Sequence, residues 1–183
     1  MAVKISGGNE LIDPKKLLEQ GGLKAGSVVA DLGCGSSGHF VFPAAHLVGE
    51  KGRVYAVDIL PSVLQSIESR AKLEGLSNVV RVWADLERPG ALQIEGGIDI
   101  ALLVNTLFQV KDSAVVIKEA SRVLKPGGRL LVGEWKATST PLGPSAMMRV
   151  DSSKVKQWAK DAGIAFDREF EAGPYHYGLV FKK

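Results

Sequence analysis

A glycine-rich turn, followed at a distance by an acid, is the feature of this chain that points most directly to chemistry. The turn spans residues 33–38, with glycine at positions 33, 35 and 38, and it follows an apolar run that ends at Asp31. Glycines after a buried strand let the backbone approach a ligand closely, and a helix beginning near His39 presents free N–H groups at the same edge. Asp58 lies roughly 20 residues beyond the last glycine, where a carboxylate can accept hydrogen bonds from ribose hydroxyls. We therefore expect a nucleotide-like ligand over residues 33–38. The same glycine spacing also fits a turn without a ligand, but the strand before it, the helix after it and the spaced acid favour a binding site.

Predicted strands alternate with predicted helices, and this alternation is what would position the turn and the acid. The strand patterns cover residues 27–31, 53–58, 78–85, 98–105 and 129–135. Such alternation is typical of a doubly wound α/β fold, in which right-handed crossovers place the carboxyl ends of parallel strands at one edge. The polar residues that end these strands are therefore expected to converge: Asp31, Asp58, Asp85, Asn105 and Glu134. Two further strands, at residues 165–171 and 177–181, follow the last helix.

Capping residues predict where the helices begin. Asp13 stands before Pro14, Asp112 or Ser113 caps a later helix, and Asp151 or Ser152 caps the last one. Residues 125–128, Lys-Pro-Gly-Gly, are expected to stop the helix that precedes the fifth strand.

The composition favours one globular domain in a reducing compartment. The 183 residues are 23% charged and 45% hydrophobic, with a formal net charge of +3. Lysines and arginines are spread along the chain, so a basic groove for nucleic acid is not indicated. The single cysteine excludes an internal disulfide, and the three histidines have no metal-ligand spacing, so we expect no metal site. No apolar stretch is long enough for a secretory signal or a membrane span, so we expect a cytoplasmic protein.

Four short segments carry a resemblance to a known family. They are Asp-Leu-Gly-Cys-Gly at residues 31–35, Tyr-Ala-Val-Asp at 55–58, Ala-Asp at 84–85 and Arg-Val-Leu-Lys-Pro-Gly-Gly-Arg-Leu at 122–130. In this order they resemble the successive motifs of class I S-adenosylmethionine-dependent methyltransferases, and the last segment is similar to the small-molecule branch that includes quinone-biosynthesis C-methyltransferases. The resemblance implies one domain over residues 1–183. It also implies a Rossmann-like, doubly wound, seven-stranded α/β sheet, mostly parallel with an antiparallel last strand.

The resemblance also assigns roles to the residues at the strand ends. It implies S-adenosylmethionine as the cofactor, with the glycine backbone beside its methionine part, Asp58 on the ribose hydroxyls and Asp85 on the adenine amino group. The full set implied to bind the cofactor is Asp31, Gly33, Cys34, Gly35, Asp58, Ile59, Ala84, Asp85 and Asn105, with Asn105 beside the reacting methyl. The family usually has a glycine two residues after Gly35, whereas residues 36–37 are both serine here and delay the glycine to Gly38.

Two other classes of protein share parts of this pattern. A nicotinamide-binding Rossmann oxidoreductase uses the same glycine spacing and spaced acid, but it requires neither Asp31 before the first glycine nor an acid such as Asp85. A cofactor-binding protein without catalysis shares every motif, and only turnover separates it from an enzyme. For the acceptor, oxygen or carbon of a small molecule is favoured over nitrogen, while protein or nucleic acid acceptors and the oligomeric state stay open.

Two histidines are candidates for a general base on the acceptor side. His176 lies in the turn before the last strand, and His39 directly follows the glycine turn, so both are expected to approach the acceptor. His176 is the preferred base, because His39 is expected beside the methionine end of the cofactor. Both can equally line the pocket without titrating, since positioning alone accelerates methyl transfer from a sulfonium. Residues 137–148 are expected to form a mobile cover over this edge, with a solvated loop as the alternative.

Overall fold

The strands expected from the sequence are present in the computed structural model, which describes residues 11–138 and 142–183. Their bounds are β1 (Val28–Leu32), β2 (Arg53–Asp58), β3 (Val79–Trp83), β4 (Ile98–Val104), β5 (Leu124–Trp135), β6 (Ala165–Gly173) and β7 (His176–Lys182). Within the described ranges the α-helices are α1 (Pro14–Gln20), α2 (Val41–Val48), α3 (Pro61–Leu73), α4 (Ser113–Val123) and α5 (Ser152–Asp161), with short 3₁₀ turns at Leu107–Gln109 and Ala146–Met148. None of these helices is long and apolar enough to cross a membrane.

The strands form one sheet in the order β3-β2-β1-β4-β5-β7-β6. The neighbouring pairs β3–β2, β2–β1, β1–β4 and β4–β5 are parallel, whereas β7 is antiparallel to both β5 and β6. The expected seven-stranded, mostly parallel α/β sheet with an antiparallel last strand is therefore confirmed. The strand order reverses between β1 and β4, and such a reversal opens a crevice outside the carboxyl ends of the strands.

Local capping explains where three of the helices begin. Asp13, Asp112 and Asp151 each accept hydrogen bonds from main-chain N–H groups in the first turn of α1, α4 and α5, respectively. These carboxylates satisfy N–H groups that have no partner inside the helix, as predicted. The start of α2 differs from the prediction, because the helix begins at Val41 rather than near His39 and its cap makes no side-chain hydrogen bond.

The start of β5 is a second difference from the prediction. Leu124 already pairs with Ile98 of β4, and the next pair in the ladder is Arg129 with Ile100. Residues 125–128 therefore bulge between two paired positions instead of only ending α4. Glycine and proline are common both at bulges and at the ends of helices. The same run is therefore compatible with either structure.

Apolar side chains cover both faces of the sheet. Leu103 and Val132 pack in a cluster with α4 and α5, whereas Leu102 and Leu131 pack in a cluster with α1 and α2. Consecutive residues of a strand point to opposite faces, so the central strands are buried on both sides. Ligands consequently reach these central strands at their ends.

Candidate functional site

A pocket of about 430 Å³ lies at the carboxyl ends of β1, β2, β3 and β4. Of the nine residues implied to bind the cofactor, six line it: Gly33, Gly35, Asp58, Ile59, Ala84 and Asp85. Cavities of about 490 and 510 Å³ lie beside β6 and beside the outer edge of β3, and neither includes the glycine turn or these acids. The 430 Å³ pocket is therefore the one in which the residues singled out by the sequence come together.

The glycine turn is held against the end of β2. The N–H groups of Gly33 and Cys34 both donate to the carbonyl oxygen of Val57, at 2.9 and 3.0 Å. Gly35 adopts a positive φ of +64°, and a Cβ atom built on it would meet no protein atom within 4 Å. Because Gly35 also lines the pocket, its bare backbone leaves room for a ligand to come close.

The extra residue in this turn is accommodated by a local hydrogen bond. The N–H of Gly38 donates to the carbonyl oxygen of Gly35 at 3.2 Å, so residues 36–37 form the middle of a closed turn. Gly38 has φ = +56°, and a Cβ there would lie 2.5 Å from the ring of Phe42 and 2.7 Å from Ile67. Gly38 therefore lets the turn pack closely against α2 and α3, because any larger residue would clash there.

Asp58 and Asp85 face the pocket from adjacent strand ends. The two oxygens of Asp58 accept hydrogen bonds from the N–H groups of Gly35 at 3.2 Å and Leu60 at 3.0 Å. Asp85 forms an ion pair with the exposed side chain of Arg88 at 3.3 Å. A carboxylate has about four lone-pair sites, so both side chains can still accept hydrogen bonds from a hydroxyl or amino group in the pocket.

Asp31 and Cys34 are buried and do not belong to the pocket lining. Burial, aided by the charge of Asp58, raises the pKa of Asp31 to about 7. Its Oδ2 atom has no hydrogen-bond partner among the described residues. Burial also raises the pKa of the Cys34 thiol, which is therefore a neutral, buried side chain.

The turn after β4 forms the opposite wall of the pocket. Asn105 adopts φ = +53°, and its N–H donates to the carbonyl oxygen of Gly133 at 2.8 Å. The side-chain amide of Gln109 donates to the carbonyl oxygen of Asn105 at 2.6 Å. This conformation brings Thr106, Gln109 and Val110 into the lining, whereas Asn105 itself is buried behind it.

Seven lining residues are not singled out by the sequence pattern: Leu60, Val63, Leu86, Glu87, Thr106, Gln109 and Val110. Leu60, Leu86, Glu87 and Thr106 lie within two residues of a predicted strand end, so extending the strand-end rule by two positions finds them. Gln109 and Val110 lie further along the chain, and no signal in the sequence marks them.

The two candidate bases lie on the same side of the sheet, close to Ile12. The Nε2 atom of His39 is 2.9 Å from the carbonyl oxygen of Ile12, to which it donates a hydrogen bond. Gly173 lies next to both His176 and Ile12. A Cβ atom built on Gly173 would be 3.6 Å from Nδ1 of His176 and 3.6 Å from Cγ1 of Ile12. Neither histidine lines the 430 Å³ pocket.

The environment of His176 favours a neutral imidazole. The ring is fully buried and tilts against the Trp135 ring, with centroids 4.2 Å apart. Neither of its nitrogens has a hydrogen-bond partner among the described residues. Burial, together with the charges of Lys136 and Arg149, lowers the pKa of His176 to about 4.

One arginine organises the loop between β5 and α5. The Arg149 guanidinium donates to the carbonyl oxygens of Lys136 and Pro144, both at 3.0 Å, and lies over the Trp135 ring at 5.5 Å. The cover predicted for this region includes residues 139–141, which lie outside the described residues. For the remainder of the loop, Arg149 is the side chain that ties its two ends together.

Comparisons with known proteins all find methyltransferases. A family profile described as a methyltransferase domain matches residues 23–171. A ubiquinone/menaquinone biosynthesis C-methyltransferase of Shewanella oneidensis is 37% identical over 120 residues, which are 64% of this chain and 46% of that protein. The chain thus spans about half the length of the curated relatives it matches.

Solved structures extend the similarity over nearly the whole chain. The crystal structure of a SAM dependent methyltransferase from Aquifex aeolicus has a TM-score of 0.85 and 28% identity, and covers 96% of this chain and 92% of that one. A putative type 11 methyltransferase from Sulfolobus solfataricus has a TM-score of 0.73 and 26% identity, with 94% and 93% covered.

Proposed function

The chain belongs to the methyltransferase family whose profile matches residues 23–171, and from this premise we propose that it transfers a methyl group from S-adenosylmethionine to a small molecule. The acceptor atom we propose is an oxygen or a carbon. The observation that carries the proposal is the pocket itself, in which the glycine turn and the carboxylates of Asp58 and Asp85 meet. The Aquifex aeolicus protein named as SAM dependent supports the cofactor, and the Shewanella oneidensis C-methyltransferase supports carbon as an acceptor atom.

The residues present fit S-adenosylmethionine. Open space at the Cβ position of Gly35 leaves room for the cofactor against the backbone of the turn. Asp58 has the free lone pairs that ribose hydroxyls require, and Asp85 has them for the adenine amino group. The buried Asp31 carboxyl stands behind the turn, where its negative form would favour the positive charges of the methionine part.

The chemistry needs little from the protein beyond placement. The bound sulfonium supplies an activated methyl group, so the protein has to align the acceptor and exclude water. Alignment of this kind contributes up to about 7–11 kcal/mol where positioning is ideal. The wall formed by Thr106 and Gln109 and the buried Asn105 behind it are the groups that we propose to confine the methyl end.

A base is needed only where the acceptor loses a proton. We propose His176 for that step, since neither of its ring nitrogens has a hydrogen-bond partner among the described residues and its lowered pKa keeps the imidazole unprotonated at neutral pH. His39 is the second candidate. Its Nε2–H donates to the carbonyl oxygen of Ile12, so Nδ1 is the ring nitrogen that is left to contact an acceptor.

We also propose that residues 1–183 form one cofactor-binding domain, because the strands of the described residues belong to one sheet. A small-molecule acceptor is the proposed partner.

Calorimetry tests the cofactor directly. S-adenosylmethionine and S-adenosylhomocysteine are expected to bind saturably, and NAD is expected to give no heat of binding. Binding of NAD without either adenosyl compound would instead support an oxidoreductase. Release of S-adenosylhomocysteine in the presence of a panel of phenolic and quinol acceptors then separates an enzyme from a protein that only binds the cofactor.

A further inference from the structure

A fully buried carboxyl group lies at the end of β5, next to the turn that follows β4. The Oε1 atom of Glu134 accepts a hydrogen bond from the N–H of Leu107 at 2.6 Å. Burial raises the pKa of Glu134 to about 8, against the effect of the nearby main-chain N–H groups, which lower it. Its Oε2 atom has no hydrogen-bond partner among the described residues, so the bond from Leu107 is what ties Glu134 to the turn.

The same turn is a wall of the cofactor pocket. Thr106, Gln109 and Val110 line the pocket, so a shift of the turn changes its shape. The turn contains Asn105 in the left-handed region, a conformation that costs free energy and persists only where its surroundings hold it. A main-chain bond to Gly133 holds the start of the turn, and Glu134 holds the N–H of Leu107.

We propose that Glu134 is a positioning residue for the cofactor: by accepting the N–H of Leu107, it fixes the wall against which S-adenosylmethionine lies. The inference rests on the proposed function for its ligand. Glu134 does not line the pocket, so it acts through the turn and not by touching the cofactor. Removing this acceptor leaves the N–H of Leu107 unsatisfied and lets the turn move.

A matched control exists in the same fold. Glu119 is also buried, and its two oxygens accept hydrogen bonds from the N–H groups of Gly90 at 3.0 Å and Leu92 at 2.8 Å. Neither of those residues lines the pocket. Arg122 also binds Glu119 at 2.7 Å. Glu119→Gln therefore removes a buried carboxylate that binds main-chain N–H groups and a guanidinium, while leaving the cofactor wall intact.

The test compares Glu134→Gln with Glu119→Gln. Glutamine keeps one acceptor oxygen and the same shape, but it places an NH₂ donor in a buried site whose nearby main-chain N–H groups are donors as well. We expect Glu134→Gln to bind S-adenosylhomocysteine about tenfold or more weakly by calorimetry, as a misplaced wall implies. Glu119→Gln is expected to bind it within twofold of the unsubstituted protein. Hydrogen exchange at the Leu107 amide should accelerate in Glu134→Gln alone.

The outcomes separate the two proposals. If the unsubstituted protein binds neither adenosyl compound, the proposed function fails, and exchange at Leu107 still reports whether Glu134 holds the turn. If the unsubstituted protein binds and Glu134→Gln binds equally well, the positioning role is overturned. Equal losses in both variants also overturn it, because they indicate general destabilisation. Should Glu134→Gln not fold, Glu134→Asp replaces it, because the shorter side chain keeps the carboxyl group but withdraws it from the Leu107 N–H. Unchanged affinity in Glu134→Asp then overturns the proposal, and a several-fold loss supports it.

Discussion

The carboxylate of Asp58 accepts a hydrogen bond from the main-chain N–H of Gly35 at 3.2 Å, so the end of β2 holds the glycine turn that follows β1. The two elements are adjacent and parallel in the sheet. One side chain therefore shapes the turn and also presents its remaining lone pairs to the pocket. This double role makes the pair the most direct point at which to test the site.

Asp58→Ala is expected to weaken binding of S-adenosylhomocysteine. The ribose hydroxyls lose a charged acceptor, which is worth about 1.5–3 kcal/mol. Calorimetry should register this as roughly a tenfold to 150-fold rise in Kd. Asp58→Asn keeps an acceptor for Gly35 and should lose less. Unchanged affinity in Asp58→Ala would show that β2 does not end at the ribose.

Gly35→Ala and Gly75→Ala form a matched pair. Both glycines have similar positive φ angles, +64° and +68°, and a Cβ at either position meets no protein atom within 4 Å. Each alanine should cost about 1–2 kcal/mol of folding free energy in the left-handed region. Only Gly35→Ala places a methyl group in the pocket, so only that variant should bind the cofactor more weakly. Equal affinity in the two variants contradicts a cofactor beside Gly35.

Asp31→Asn is expected to stabilise the protein without cofactor at alkaline pH. The folded protein raises the pKa of Asp31 from 3.8 to about 7, so between these values the folded state holds the extra proton and stability falls as pH rises. Above pH 7 the loss approaches about 4 kcal/mol, which asparagine avoids. Urea unfolding should show Asp31→Asn as the more stable protein at pH 8, with the difference vanishing near pH 4. A constant difference across this range would mean that Asp31 does not titrate in this way.

His176→Ala is expected to lower kcat by about 10²–10⁴ if the imidazole is the general base. Affinity for S-adenosylmethionine should stay nearly intact, because His176 does not line the cofactor pocket. His46→Ala is the control, since that side chain is 61% exposed and pairs with Glu74. The measurement needs an acceptor identified in the turnover screen. A decrease of only a few fold would assign His176 to packing against Trp135 rather than to proton transfer.

The loop between β5 and α5 is expected to exchange amide hydrogens more slowly once cofactor and acceptor are both bound. The prediction concerns residues 142–148, which the structure describes. Arg149→Gln should exchange faster in both states, because it loses most of the N–H groups that bind Lys136 and Pro144. Equal protection with and without ligands argues against a cover.

The alternation of strands and helices along the chain, and the residues at the carboxyl ends of the strands, follow from the sequence by itself. Apolar runs, glycines and capping acids act over a few neighbouring residues, and a parallel crossover has one favoured hand. Asp58 and Asp85 could therefore be assigned to one pocket from their positions along the chain. Where two local rules applied to the same residues, as at the proline-glycine run 125–128, the sequence predicted the helix stop but not the bulge that begins β5.

Only the tertiary structure decided which side chains stand behind those strand ends. The register of β7 on β5 pairs His176 with Trp135, and the packing around that pair buries the histidine against the Ile12 side of the sheet. The contact of Glu134 with Leu107 joins two residues separated by 27 positions, and no periodic pattern records it. Both outcomes depend on how distant strands align. That alignment is set by packing of the whole sheet and not by the preferences of neighbouring residues.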